Sequence, residues 1–268
     1  MNKGSIHRAL AVVLIAIGFA PVWVRTASAQ QQLQYTKEQI EQIKKQNEKA
    51  ANMNVLIEQA NAAMTAKNWQ GAVGSMQQLI AIDPANWSLY SVLGDAQLNL
   101  GQYDQAVDTY QKGIQVAGSI TTVDSRNPAT DPAKKKAGEA HMLTNEGNAY
   151  LKLHKNKEAI DAYNKAASMD PNPARAYFNL CATQYNIGNV EGALHACDKA
   201  LAADPNKADA YFIKGSLLVA DSKTDRNGKI TAPPGTVEAL SKYLELAPNG
   251  AHVNDVQQML GYLGIAPK

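Results

Sequence analysis

Two cysteines and a few histidines are the side chains here whose chemistry could go beyond surface contact. Cys181 and Cys197 are the only cysteines in 268 residues, and no Cys-x-x-Cys pairing exists, so redox catalysis has no motif to stand on. Past the N-terminal segment the histidines are His141, His154, His195 and His252, none in a His-Glu-x-x-His arrangement. There is no Gly-x-Ser-x-Gly nucleophile elbow and no phosphate-cradling Gly-x-x-x-x-Gly-Lys. Asp225-x-Asn227-Gly228-x-Ile230 holds part of the ligand pattern of a calcium loop. Lys223 stands where the first carboxylate belongs and Pro234 where the closing acid belongs, so the stretch reads as a turn. The polar residues around it, Asp221, Lys223, Asp225, Arg226 and Lys229, make no nucleophile–base or metal-ligand set. The expectation is a non-enzymatic chain with no metal and no cofactor.

The elements that must position anything else are repeated. From Ala140 to Lys207 a 34-residue pattern runs twice without a gap. The copies share an apolar residue at position 4 (Leu143, Tyr177) and a small one at position 8 (Gly147, Cys181). Alanine recurs at positions 20 (Ala159, Ala193) and 27 (Ala166, Ala200), and Asp-Pro at 31 and 32 (Asp170-Pro171, Asp204-Pro205). A fixed period of this size means stacked supersecondary units. An earlier copy runs from Met53 to Asn86, with Leu56, Ala60, Trp69, Ala72, Leu79 and Asp83-Pro84 in register, and another starts at Trp87. In that second copy Ala117-Gly118 replaces Asp-Pro. Small residues at 8, 20 and 27 let two antiparallel helices approach closely, and large ones at 4, 11 and 24 fill the layer between pairs. Proline at 32 stops the second helix.

These residues resemble the tetratricopeptide repeat, whose unit is helix, short turn, helix. The resemblance covers nearly all of residues 53–250. It implies an all-α, right-handed alpha-solenoid of about five repeats with a C-terminal capping helix. Repeats one and two occupy 53–120, three and four 140–207, and five 208–250.

Residues 1–29 read separately. Lys3 and Arg8 precede the apolar run Ala9–Ala20, and Ala27-Ser28-Ala29 has the small-x-small form of a secretory cleavage site. The run is too short for a bilayer span, which takes about 20 residues. Export, cleavage after Ala29 and a periplasmic or secreted location are expected, with no stable membrane span afterwards. Removing Lys3, Arg8 and Arg25 takes the formal charge from +2 to −1, so no basic stripe points to nucleic acid.

Residues 30–52 form a polar extension, helical after a Thr36/Gln39 capping box. Ile40, Ile43, Ala50 and Ile57 fall near coiled-coil spacing, with Asn47 and Asn54 at the remaining inward positions. Two insertions interrupt the register. Residues 121–139 separate repeats two and three, with Asp131-Pro132 reading as an N-cap and first helical residue ahead of Lys134, Lys135 and Lys136. Residues 221–235 part the helices of repeat five, with Asn227-Gly228 able to reverse a hairpin and Pro233-Pro234 barring helix. Residues 251–268 supply the capping helix, over Val253–Leu263, and a tail.

Cys181 and Cys197 sit at positions 8 and 24 of one repeat, on its two facing helices. A disulfide is one reading and a pair of small buried hydrophobes the other. The resemblance further implies that positions 2, 5, 6, 9, 12 and 13 of the first helices face a ligand. That assigns Asn145, Asn148, Lys152, Arg175, Phe178, Asn179, Tyr185, Asn186 and Phe212 to a partner-binding groove, with Ser216, Ser91, Asp95 and Asn99. Asparagine can both donate to and accept from an extended peptide backbone. A subset of the family clamps a terminal carboxylate with cations and two asparagines. Asn148 and Asn179 match, but Thr144, Asp209 and Ile213 replace the cations. The expected partner is a protein or peptide, in an adaptor or assembly role. The alternative is a structural component that self-associates through the N-terminal helix.

Overall fold

Where alanine and glycine recur at fixed intervals, helix backbones pack with little side chain between them, and the chain folds as successive helical hairpins. The computed structural model describes residues 36–124 and 128–265, so the expected leader, its expected cleavage point after Ala29 and the last three residues lie outside the described residues. Five hairpins follow one another. They are α1 (Lys37–Thr65) with α2 (Trp69–Ile82), α3 (Trp87–Asn99) with α4 (Tyr103–Ser119), α5 (Pro132–Lys152) with α6 (Asn156–Met169), α7 (Ala174–Asn186) with α8 (Val190–Ala203), and α9 (Ala208–Ala220) with α10 (Thr236–Leu246). A last helix, α11, spans Val253–Tyr262. The fold class is all-α, built of tandem helical hairpins.

Each of the first four hairpins turns through one residue in the left-handed region, at position 15 of its repeat: Lys67 (φ 56°), Gly101 (77°), His154 (58°) and Gly188 (75°). Glycine takes this conformation freely, whereas Lys67 and His154 carry a Cβ into it. Side-chain caps fix the entries of several helices. Asn68 accepts from Gly71 N at 3.1 Å and Asn189 from Gly192 N at 3.1 Å. The Asp-Pro corners close as Asx turns, with Asp170 accepting from Asn172 N at 2.8 Å and Asp204 from Asn206 N at 3.0 Å.

The described chain divides into two compact units: residues up to Gln102 with Lys112–Lys135, and Tyr103–Gln111 with Lys136 onward. In the first, α1 packs on α2 and α2 on α3 around Leu56, Met76, Leu79, Leu89 and Leu93. Thr36 and Gln39 form the capping box of α1, whose first sixteen residues are exposed on every side. The insertion after α4 is tied back to the unit. The Trp87 indole donates to Ala129 O at 2.7 Å, and Lys135 Nζ donates to Ile120 O at 3.0 Å. One of the three consecutive lysines is therefore spent on the fold. Asp131 caps α5 through Ala133 N at 2.9 Å, so residues 132–139 are its opening turns.

In the second unit, a core of Ala159, Tyr163, Leu180, Cys181, Ala193, Cys197, Ile213 and Leu217 joins α6 through α9. A further core of Leu240, Tyr243, Val256 and Leu260 seats α10 and α11. In repeats three and five, positions 8 and 24 pair a glycine with a larger residue. A Cβ on Gly147 would lie 2.6 Å from the Tyr163 ring, and one on Gly215 2.6 Å from Leu240. In repeat four the same place holds a disulfide between Cys181 and Cys197, their Cα atoms 5.0 Å apart. The 221–235 insertion folds into a two-stranded antiparallel hairpin, Lys223–Thr224 against Ile230–Thr231. Asp225 Oδ1 closes it by accepting from the backbone N–H groups of Asn227 (2.8 Å) and Lys229 (2.9 Å).

Candidate functional site

The face formed by α5 and α7 carries a ladder of hydrogen-bonded side chains. His141, Asn145 and Asn148 on α5 and Arg175 and Asn179 on α7 recur three or four residues apart, which puts them on one side of each helix, with Lys152 and Phe178 at the same spacing beside the ladder. Asn145 Nδ2 lies 3.1 Å from His141 Nε2, and Asn148 Nδ2 donates to Asn145 Oδ1 at 3.2 Å. Asn148 Oδ1 in turn accepts twice, from Tyr163 Oη at 2.7 Å and from Asn179 Nδ2 at 3.1 Å. Arg175 Nη2 reaches His141 Nδ1 at 3.2 Å.

Both lone pairs of the Asn148 carbonyl are therefore taken, and its amide orients Asn145. Asn148 shapes the face and has little left to offer a ligand. Tyr163 is fully buried, and burial holds its phenol neutral with a pKa pushed well up. The outward-facing valences belong to Asn179, Arg175 and Lys152.

The ring nitrogens of His141 bear on Arg175. Asn145 Nδ2 and Arg175 Nη2 are both donors and meet opposite ring nitrogens, so a neutral His141 accepts from only one of them, and the tautomer decides whether that is Arg175. No carboxylate stands within 4.0 Å of it among the described residues, in contrast to Lys214 with Asp198 at 2.6 Å. Lys207, the residue before α9, places Nζ 5.2 Å over the Phe178 ring.

The remaining groove candidates are not part of the ladder. Tyr185 and Asn186 are exposed at the end of α7, Tyr185 at 38%. Phe212 is covered: the His252 ring stacks on it at 3.8 Å and 6°, and Tyr243 lies 5.8 Å away. Ser216 Oγ is turned inward to Phe212 O at 2.8 Å. The sequence pattern passed over His141, Tyr163, Lys207 and His252. His141 occupies position 2, the same repeat position as Arg175, which was the available signal. Tyr163 looked like filler, though a buried hydroxyl requires a partner.

A second polar group lies nearby on α5. Glu146 is 6% exposed, accepting from Gln111 Nε2 at 2.8 Å, with Gln111 also donating to Tyr150 Oη at 3.0 Å. Burial raises the Glu146 pKa above the usual carboxylate value, against the lowering effect of these hydrogen bonds and Lys165. Burial, with the adjacent Glu146 charge, pushes Tyr150 up to about 12. Among the described residues no group of three His, Cys, Asp or Glu side chains is placed to hold a metal ion. Nor is any described helix long and apolar enough to cross a membrane.

Comparison with known proteins agrees with this geometry. Residues 63–118 and 144–208 match tetratricopeptide repeat family models, so these two stretches are tetratricopeptide repeats. Over 67 residues it is 33% identical to the Homo sapiens small glutamine-rich tetratricopeptide repeat-containing protein beta; the match takes in 25% of this chain and only 22% of that relative's length. Among solved structures the chain is similar to the MamA protein (TM-score 0.54, 19% identity, 74% of this chain and 92% of that one). It is also similar to YrrB, described as a TPR protein with an unusual peptide-binding site (0.54, 16%, 81% and 97%). A third is PilW, a type IV pilus biogenesis factor (0.55, 15%, 79% and 87%). At these identities the likeness is one of fold.

Proposed function

We propose that the protein is an exported, non-enzymatic interaction module that binds a protein or peptide on the α5–α7 face, serving as an adaptor or assembly factor. The observation that carries this reading is the ladder itself. Asn145, Asn148 and Asn179 are locked by one another and by Tyr163, so the amide of Asn179 is held in place before a ligand arrives, beside Arg175 and Lys152. Preorganisation of this kind lowers the entropic cost of binding. The repeat family supports the reading, as does the peptide-binding site ascribed to YrrB. Export is supported by the leader-like residues 1–29 and by the Cys181–Cys197 disulfide, since such bonds persist in oxidising compartments. The test is a photo-crosslinking amino acid placed at Asn186 in the native cell envelope, with a control at Gln78 on α2. Partners captured from Asn186 alone, and lost with Asn179→Ala and Arg175→Gln, are the expected result. Identical partner sets from both positions would sink the reading.

A second reading rests on a separate observation. Ile40 (44% exposed) and Ile43 (40%) lie on the uncovered half of α1, in three-four spacing with Asn47, Ala50, Asn54 and Ile57. That stripe suits helix-to-helix self-association. Sedimentation of the chain with and without residues 30–50 decides it, and a monomer in both cases removes it.

A further inference from the structure

Among the described ion pairs of the second unit, Lys155 joins Asp104, Lys214 joins Asp198 and Lys242 joins Glu245. Arg175 and Lys207, like Lys199 over the Tyr177 ring, belong to none of them. Neither Arg175 nor Lys207 has a carboxylate within 4.0 Å, and the ring that Lys207 covers lies one turn from Arg175 on α7. Arg175 stands one turn before Phe178 on α7, and Lys207 lies over the ring from the start of α9. Asp209, two residues beyond Lys207 and exposed, is the nearest acid in sequence and forms no ion pair with either. His252 takes the place over Phe212 that Lys207 takes over Phe178, the residue before the next helix covering the same ring position in each case. At Phe212 that cover is a flat stacked imidazole. At Phe178 it is a flexible ammonium, which leaves the ring half-buried and its border charged.

We propose that Arg175 and Lys207 form an acid-recognition site around Phe178, which takes a glutamate or aspartate side chain within an extended peptide. The proposal rests on the α5–α7 face being the binding face. The methylene stem of a glutamate covers the Phe178 ring while its carboxylate reaches the two cations. Engaging a carboxylate gives Arg175 an anionic acceptor, and the ligand does not compete with an existing ion pair. Asn179, one turn after Arg175, has donor and acceptor capacity to meet the peptide backbone beside that side chain.

The experiment uses the full chain and a pool of ten-residue peptides, acetylated and amidated, randomised at each position over equal Glu, Gln, Asp and Asn. The bound fraction is read by mass spectrometry. The expected result is enrichment of Glu over Gln by about tenfold, the size of one charge-assisted contact at a partly exposed site. Enrichment falls to parity in Arg175→Gln/Lys207→Met, where methionine keeps an apolar stem over the ring. It persists in Lys44→Met, an exposed lysine of α1. Lys207 makes no side-chain cap bond, so Lys207→Met alone is a folded second variant, checked by circular dichroism, and reduces the enrichment by about threefold. Equal binding of Glu and Gln overturns the acid site while leaving peptide binding in place. Enrichment that survives the double variant, or appears only in a parallel pool with free C-terminal carboxylates, also overturns it. Failure to bind any peptide overturns it too, and the envelope crosslink from Asn186 then reports separately on the face.

Discussion

Tyr163 Oη donates to Asn148 Oδ1 at 2.7 Å, joining the buried second helix of repeat three to the polar face of its first. The bond serves two purposes, satisfying a hydroxyl with no access to water and fixing the amide that orients Asn145 and Asn179. Tyr163→Phe removes one of two donors to Asn148 and is expected to cost about 0.5–1.5 kcal/mol. Asn148→Ala strands the buried hydroxyl and opens the ladder, and should cost more, about 1–3 kcal/mol. Urea denaturation of both variants checks the order. A cheaper Asn148→Ala would show that the ladder is not structural.

The small–large pairing at positions 8 and 24 predicts how repeat four depends on its disulfide. Reduction opens a bridge with a sequence separation of 16 and is expected to lower stability by about 3 kcal/mol. Cys181→Gly with Cys197→Leu rebuilds the Gly215–Leu240 pair and should melt above Cys181→Ser with Cys197→Ser, which buries two hydroxyls. Thermal melts of the two variants, and of the wild type with and without reductant, read this directly.

His154 holds φ 58° at the turn where Gly101 and Gly188 hold 77° and 75°. His154→Gly should therefore stabilise the chain by up to about 1 kcal/mol, and Gly188→Ala should destabilise it by about as much. An equal and opposite shift in melting temperature is the expected pair of results. Loss of stability in both would mean that the His154 side chain contributes more than its backbone costs.

Glu146 sets a pH dependence. Its folded pKa is raised, so between the ordinary carboxylate value of 4.5 and the folded value the native state binds more proton than the unfolded state. Stability contributed by this group therefore falls as pH rises through that window. Glu146→Gln keeps an oxygen that accepts from Gln111 and removes the titration, so its advantage over wild type should grow from about pH 4 to about pH 7. Melting temperatures of the two proteins across that range test the sign. A shrinking gap contradicts it.

The helices themselves were legible in the residue pattern. Small residues at position 8, alanine at position 20, Asp-Pro at the corners and Asn-Gly in the last insertion encode local geometry, and local geometry follows from residue type and spacing. The same pattern placed Cys181 and Cys197 on facing helices, though only their Cα separation of 5.0 Å distinguishes a bridge from two buried thiols. The face was legible only as a set of positions. Tertiary structure decided which of those side chains stay open and which face one another. Asn148 is consumed by Tyr163 and Asn179, Phe212 lies under His252, and Lys207 belongs with Phe178 although the two are 29 residues apart in sequence. Those pairings cross between helices, so they depend on the rotation and depth at which neighbouring helices pack. A repeat period constrains that packing and does not specify it.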